Sequence, residues 1–350
     1  MSARKLLVLG IAAVLALAAG LWLAGRQVSS EAGGTRAALY PGLEAELDAI
    51  EAVRIFKAGD ARAVELKRSE GGWTVTERAG YRADEAKLGK LVRAIADAEM
   101  LEEKTSNPER YAALGVEDIA GKDAKGVRVE LSGPAKPVNL IVGNTGAGAS
   151  SRYVRRAGEK QSWLIDQALD APSAPEAWLA KDIVDVESDR LQSAMVTVKG
   201  ERPYTAAKGS RDDANFGIEK LPKGKSLRSP GVANGIATAL SALTLTDVQA
   251  KDAFGSEPPA DHARFATFDG LVVEADGWKR DERRFVTLKA TFDGAQAKRF
   301  EAAAAEGEAK PAAPNVAEEA KSLAAKTTGW VYEIPGYRYD SLFKPIDEPL

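Results

Sequence analysis

Hydrophobic residues are distributed along this chain in two contrasting ways. Residues 6–24 form an unbroken run without charge or proline, whereas after residue 42 hydrophobic and polar residues alternate in short segments. A helix over this run would be about 28 Å long, close to the ~30 Å hydrocarbon thickness of a bilayer. The run has no polar face, which a surface helix of a globular domain would show. The pattern predicts a transmembrane helix followed by a β-rich region.

The charges beside this run predict its orientation. Arg4 and Lys5 precede the run, and only Arg26 follows it closely. Because basic residues are retained on the cytoplasmic side, the N-terminus is expected in the cytoplasm and the bulk of the chain in the periplasm. We therefore interpret residues 1–26 as a cytoplasmic stub and an inner-membrane anchor, and residues 27–42 as a flexible tether.

A cleaved signal peptide is the alternative interpretation of the same run. Ala16-Leu17-Ala18 has the small-residue pattern of a cleavage site. However, the hydrophobic run continues through Leu21–Leu23 and exceeds the usual 7–15 residues of a signal peptide core. The length of the run favours an uncleaved anchor.

Period-two alternation between glycine-rich turns predicts strands with one buried face in the first half of the folded region. Trp73 and Val75, for example, alternate with threonines directly after a Gly-Gly turn. Such strands are predicted around residues 53–55, 64–66, 73–75, 127–131, 138–142, 152–156 and 162–166. Hydrophobic residues at helical spacing after Asp84 predict a helix to about residue 98, and a second, short helix is predicted within residues 106–115.

The same order recurs in the second half of the chain. Strands are predicted around residues 194–198, 204–207, 216–218, 264–268, 271–274, 285–292 and 330–334. A helix with Ser229 as its N-cap and Pro230 at its first position is predicted after the third of them, with the apolar face Val232, Ile236, Leu240 and Leu243. Each half is therefore predicted to contain three strands, a helix and four antiparallel strands.

This repetition predicts an α+β protein with two related β-rich modules. The first module is assigned to residues 43–175 and the second to residues 183–350, with the boundary at the proline-rich segment near 172–183. A helical insertion, residues 295–327, interrupts the second module. Asn315 and Glu318 form a capping-box pattern there, which predicts a surface helix.

Composition limits the function further. The chain has 350 residues, a formal net charge of −3, 28% charged residues and no cysteine. Without Arg4 and Lys5, 46 basic residues remain against 51 acidic ones, a charge of about −5. This mild acidity argues against nucleic acid as a partner, and the absence of cysteine excludes disulfides and thiolate chemistry.

Motifs for catalysis or metal binding are weak in this sequence. His262 is the only histidine, so a zinc site has too few ligands of its usual kind. Residues 143–148 resemble a phosphate-binding loop only in their glycines, because strands rather than a helix are predicted on both sides. Residues 224–226 resemble the end of a Walker motif, but Glu219 stands where a glycine is required. No catalytic, cofactor-binding or metal-binding residue is assigned.

Carboxylates and aromatic residues leave two further functions open. A carboxylate-based hydrolase of the cell envelope would need two acids facing each other in space; Asp269 and Asp293, in Asp-Gly turns, need no such role. A binding module for a peptide, glycan or lipid would need an apolar or aromatic cleft between the modules. The tryptophans at positions 73, 163, 278 and 330 are expected to pack in the core.

Several motifs resemble those of the bacterial DUF4340 family. They are Asn107–Val116, Arg152–Arg155, Trp163–Asp166, Ala177–Leu179 and Gly329–Tyr337. The chain departs from the family at Pro345, where relatives usually continue a charged helix. Members often resemble accessory components encoded beside gliding-motility-type ABC transporters, and the family brings no established reaction or ligand. The resemblance implies a membrane-anchored periplasmic partner of a transporter permease and ATPase.

Overall fold

The structure is a computed structural model that describes residues 36–148, 150–219, 221, 226–227, 229, 231–301 and 315–345. The anchor predicted at residues 6–24 and most of the tether lie outside these residues. Within them, no helix is both long enough and apolar enough to cross a bilayer. The described part has an α+β fold, with two large antiparallel sheets and short helices.

The first module is built on a ten-stranded sheet. Its strands lie in the order β1-β6-β10-β9-β8-β7-β2-β3-β4-β5. Their bounds are β1 Ala37–Ala38, β2 Ala52–Lys57, β3 Ala61–Ser69, β4 Gly72–Val75, β5 Tyr81–Arg82, β6 Glu99–Glu103, β7 Val127–Ser132, β8 Val138–Thr145, β9 Arg152–Arg156 and β10 Ser162–Ile165. All seven strands predicted for this half are confirmed.

The second module is built on an eight-stranded sheet in the order β14-β13-β12-β17-β18-β19-β20-β16. Its strands are β12 Leu191–Thr197, β13 Tyr204–Ala207, β14 Gly217–Glu219, β16 Asp247–Ala250, β17 Asp261–Thr267, β18 Leu271–Arg280, β19 Arg283–Phe292 and β20 Trp330–Ile334. Two further strands, β11 Asp182–Val184 and β15 Leu243–Thr244, pair with each other in a separate two-stranded sheet. The seven strands predicted for this half are confirmed as well.

Short helices connect the strands. The α-helices are α1 Glu85–Ala96, α2 Tyr111–Leu114, α3 Lys251–Phe254, α4 Gly294–Glu301, α5 Val316–Thr327 and α6 Gly336–Leu342. The 3-10 helices are η1 Leu43–Ala49, η2 Thr76–Arg78, η3 Pro108–Arg110, η4 Pro175–Trp178, η5 Ser188–Arg190 and η6 Val232–Thr238. The Asp84 side chain caps α1 by accepting a hydrogen bond from Lys87 N, as its position predicts.

Both sheets have the same strand order. If the two-residue strands β1, β5 and β15 are left out, the remaining strands of each module can be numbered from one, starting at β2 and at β12. In both sheets the spatial order is then 3-2-1-5-6-7-8-4. The fourth strand, β6 or β16, therefore lies at the edge beside the last strand of its module. A single topology is used twice in the chain.

The connection after each fourth strand contains a four-residue helix in both modules. In the first module α2 ends at Gly115, and in the second α3 ends at Gly255; both glycines have positive φ. Each helix places an aromatic ring beneath an arginine, since the Arg155 guanidinium lies 4.5 Å from the Tyr111 ring centre and that of Arg280 lies 3.7 Å from the ring centre of Phe254. These pairs cover the outer face of each sheet.

Alternation along the strands separates the core from the surface. In β2, Val53 and Ile55 are buried, whereas Arg54 points outward and binds Glu65 and Glu130 on the neighbouring strands at 2.7 and 2.9 Å. The inward residues of both sheets belong to one continuous cluster of buried hydrophobic side chains. The core therefore runs from one module into the other.

The predictions for the tether and for the helix after β14 need correction. The tether predicted to reach residue 42 is shorter, because β1 pairs with β6 and Leu39 is fully buried. The helix predicted from Ser229 is a 3-10 helix that begins at Val232, and Leu243 lies in β15 instead of on its apolar face. Gly231 and Gly235 weaken an α-helix at this position.

The insertion is more than a surface feature. Asn315 caps α5 by accepting a hydrogen bond from Glu318 N, as predicted. However, Val316 and Ala320 are buried in the core, and α5 packs against β18 and β19. The helix therefore covers the inner face of the second sheet.

Alkaline pH is expected to destabilise the segment that follows β1. Burial raises the pKa of Tyr40 from its ordinary value near 10 to about 12. This contribution to stability is fully present below pH 10 and is lost as the pH rises through 12, because only the unfolded state ionises readily. In urea unfolding between pH 10 and 12, the free energy of unfolding should fall less steeply with pH for Tyr40→Phe than for the wild type. Equal slopes would contradict this role of Tyr40.

Candidate functional site between the modules

The two modules meet where η2 and β5 of the first contact β16 and β20 of the second. After β4 the chain turns sharply at Ala79 and Gly80, which both have positive φ. This turn directs Arg78 toward β16. Its Nε donates to Asp247 Oδ1 at 2.6 Å and its Nη2 donates to Asp247 Oδ2 at 3.0 Å. The bidentate pair joins the two modules directly.

A second contact lies beneath this pair. Tyr81 is only 1% exposed, and its ring packs edge-on against Trp330 with 4.9 Å between the ring centres. Tyr332 lies next to it at 6.2 Å, and burial raises the pKa of both tyrosines. The interface therefore has an aromatic centre in which both tyrosines are closed to solvent.

The segment between the modules, residues 172–181, is held in place. Trp178 is fully buried and donates from its Nε1 to the Pro172 carbonyl oxygen at 2.8 Å. Lys181 donates to the carbonyl oxygens of Glu176 and Thr246 at 2.7 and 3.0 Å, and burial lowers the pKa of its amine. These contacts fix the second module relative to the first.

A cleft of about 360 Å³ opens beside the Arg78–Asp247 pair. One wall is apolar and includes Phe285 and Val331. Arg283 and Glu333 lie on the same face beside this wall, with the Arg283 guanidinium 5.0 Å from the Phe285 ring centre. Arg283 donates from its Nε to Glu333 Oε2 at 2.8 Å, so these two charges neutralise each other. The cleft thus combines an apolar wall with charges that bind each other.

The residues that the sequence singled out lie elsewhere. His262 stands on β17 with its Nδ1 2.8 Å from Asp276 Oδ1, and its side chain is partly exposed. Among the described residues, no three histidine, aspartate or glutamate side chains are placed to hold a metal ion. Residues 143–145 are the end of β8, and the chain then returns antiparallel in β9, so the prediction of a hairpin with strands on both sides is confirmed. Residues 224 and 225 lie outside the described chain.

Acidic residues in the second module are joined by an arginine. Arg190 donates to both Asp269 and Glu319, at 3.0 and 2.8 Å. Burial raises the pKa of Asp269, but hydrogen bonds from Thr267 and Arg190 outweigh it, and the net shift is downward. A general acid needs the opposite shift. This cluster fixes α5 to the turn after β17, a role that the Asp-Gly pattern did not reveal.

The tryptophans have mixed surroundings. Trp278 is buried and packs edge-on against Phe254. Trp73, Trp163 and Trp330 are partly buried and pack against the main core. The expectation of core packing is confirmed for all four.

The salt bridge between the modules makes a measurable contribution to stability. We expect a double-mutant cycle with Arg78→Ala and Asp247→Ala to give a coupling energy of about 1–2 kcal/mol, because both side chains are mostly buried and the pairing is bidentate. Urea denaturation at low and high salt measures it. The exposed pair of Lys321 and Glu318 serves as a control, with less than about 0.5 kcal/mol expected. Equal couplings would contradict the assignment of Arg78 as an interface clamp.

Comparisons with known proteins give one family match. A family model described as a domain of unknown function (DUF4340) matches residues 73–265, more than half of the chain. The matched region runs from β4 to β17 and includes η2, β16 and the linker. The searches of curated proteins and of solved structures find no match.

Proposed function

The chain belongs to the DUF4340 family, whose function is unknown, and on this premise we propose that it is a non-enzymatic accessory or scaffold subunit of the bacterial inner membrane. Residues 6–24 anchor it, with the N-terminus in the cytoplasm and the modules in the periplasm. The anchor rests on the hydrophobic run and its flanking charges.

One observation carries the non-enzymatic part of this proposal. Four of the five charged residues that line the cleft bind each other: Arg78 pairs with Asp247, and Arg283 pairs with Glu333. The fifth, Glu77, accepts a hydrogen bond from Glu65 N and pairs with Arg62. A catalytic site usually contains an acid, base or nucleophile with a perturbed pKa that faces the cavity. Here the acids with shifted pKa values, Glu65 and Asp269, shift downward and bind arginines. These groups serve to fix structure.

The shape of the protein also suits a scaffold. The linker, the Arg78–Asp247 pair and the buried Tyr81 hold the modules in one arrangement. The shared strand order supports an origin by internal duplication. A rigid pair of modules offers partners a fixed spacing of binding surfaces.

We propose an ABC-type transporter as the partner of this scaffold. The motivation is the resemblance to family members encoded beside such transporters. The chain would contact the permease through its anchor and modules, and the ATPase only through the permease.

Crosslinking in the native membrane tests the partner. The full-length protein, tagged at its C-terminus, is crosslinked, extracted gently and analysed by mass spectrometry. We expect an ABC permease and its ATPase to be recovered reproducibly. A variant in which a cleavable signal peptide replaces residues 1–26 is the control, and it should lose most of this recovery.

Two outcomes would contradict the proposal. The scaffold role fails if no transporter subunit is enriched over the control, or if the transporter assembles normally in cells without this protein. The anchor is tested separately: carbonate extraction should leave the protein in the membrane, and protease added to spheroplasts should digest the modules.

A periplasmic binding module is the second candidate, and the cleft favours it. Ala253 on α3 lines the cleft, and Ala113 is its counterpart on α2 of the first module. If the cleft holds a small molecule, native mass spectrometry of the gently extracted protein should show an adduct. Ala253→Trp should remove the adduct, whereas Ala113→Trp should retain it. Absence of any adduct would favour the scaffold.

A further inference from the structure

Each sheet has two edges, and contact between the modules uses one edge of each. The side of the first sheet that ends in β4 and β5 faces β16 of the second sheet. Among the described residues, this contact leaves one edge of each sheet unused, and because both sheets have the same strand order these two edges are of complementary kinds. They are the β6 edge of the first module and the β14 edge of the second.

The β6 edge is acidic and carries one exposed apolar side chain; Lys104, just after the strand, pairs with Glu102 at 2.6 Å and leaves Glu103 as the second acid. Strand β1 covers only its first two residues, Glu99 and Met100. The next three, Leu101, Glu102 and Glu103, are exposed, and Leu101 is 40% exposed although it is a large hydrophobic residue. Among the described residues no strand lies beside these three on their outer side.

The β14 side is concave and mainly basic. A cavity of about 310 Å³ beside this strand has Ile218 and Phe300 on its wall, together with Lys208 and Arg299. Glu219 also lines it. Within the part of the chain that the structure describes, neither Lys208 nor Arg299 forms an ion pair; each instead lies near an aromatic ring. The cavity therefore offers an apolar wall with two cations and one carboxylate, a net positive charge.

We propose that the protein self-associates head to tail, with the β6 edge of one copy bound to the β14 side of the next. Leu101 fits against the apolar wall of the cavity, and Glu102 and Glu103 face Lys208 and Arg299. This contact between two chains corresponds to the contact within one chain, where the segment after β4, including η2, meets the fourth strand β16 of the other module. Such a heterologous interface produces an open chain or a closed ring.

The charges argue against a symmetric alternative. Pairing of two β6 edges with each other would bring glutamates of both copies together, and like charges on neighbouring strands are destabilising. Acidic residues are a common device that prevents such edge-to-edge association. On the β14 side two cations outnumber the single carboxylate of Glu219, so attraction outweighs this repulsion.

Sedimentation velocity of the full-length protein in detergent micelles tests the proposal. The wild type should form a concentration-dependent series of oligomers that weakens with added salt. The double variant Glu102→Lys/Glu103→Lys should associate at least about tenfold more weakly, and so should Lys208→Glu/Arg299→Glu. Glu282→Lys, in the exposed turn between β18 and β19, is a control that should associate like the wild type.

Mixing the two double variants gives the decisive result. Each variant alone has edges of like charge, but their edges are complementary to each other, so the mixture should recover the oligomers. Circular dichroism confirms that each variant is folded. A wild type that stays monomeric overturns the proposal, as does a mixture of folded variants that shows no recovery. The test is independent of the proposed transporter partner.

Discussion

Replacing Tyr81 by alanine is expected to lower the free energy of unfolding by about 3–5 kcal/mol. The side chain is 1% exposed and lies between the modules, against Trp330 and Tyr332. Its removal leaves a cavity in the aromatic centre of the interface, where neither module can collapse alone. Urea denaturation followed by tryptophan fluorescence measures the loss.

The control for this variant is Tyr337→Ala. Tyr337 is 69% exposed, so its truncation should change stability by less than about 0.5 kcal/mol. We also expect Tyr81→Ala to separate unfolding into two transitions, because the continuous core is weakened where the modules join. If both alanine variants lose equally little stability, the contact between the modules does not depend on Tyr81.

Replacing Arg155 by alanine is expected to cost about 2–4 kcal/mol. The guanidinium group is almost fully buried, and it donates to the carbonyl oxygens of Val116 and Glu159 at 2.8 Å each. It also binds Asp118 and stacks on Tyr111. Alanine would leave two carbonyl groups without their donor and Tyr111 without its cover.

Arg155→Lys separates charge from geometry. A lysine keeps the charge but lacks the planar fork of donors, so most of the stability loss should remain. Arg62, whose side chain is about half exposed and pairs with Glu65 and Glu77, is the control; Arg62→Ala should cost less than about 1 kcal/mol. A lysine variant as stable as the wild type would show that charge alone matters at this position.

The predictable part of this fold is the part with one buried face. In β7, for example, Val129 and Leu131 are buried and the polar residues beside them are not, because one side packs on the core and the other meets water. The fourth strand of each module is not predicted from the sequence, because this alternation is absent from it. β6 has mostly exposed side chains, and β16 is only four residues long, so neither has a readable alternation.

The helical segment after β14 shows how spacing misleads. Val232, Ile236 and Leu240 suit an α-helix, yet the chain forms a 3-10 helix, and Leu243 pairs in β15. Glycine in the segment and the packing of its neighbours outweigh the spacing. In the first module, α1 has a capping Asp84 and a continuous apolar face, and the prediction is confirmed.

The contact between the modules could not be predicted from sequence. Arg78 and Asp247 are 169 positions apart, and each looks like an ordinary surface charge. Their importance arises only from the way in which the two sheets are placed together. The Asp269–Arg190–Glu319 cluster was missed for the same reason.

The position of the fourth strand also affects how the chain acquires its structure during synthesis. In each module the fourth strand can join the sheet only when the last strand has formed, because the last strand is its neighbour in the sheet. In the second module that last strand is β20, residues 330–334, close to the C-terminal end. Residues 330–334 must therefore be synthesised before β16 and β19 find the partner between them. Until then two unpaired strand edges are exposed, and a nascent chain in this state is a substrate for chaperones and prone to aggregate.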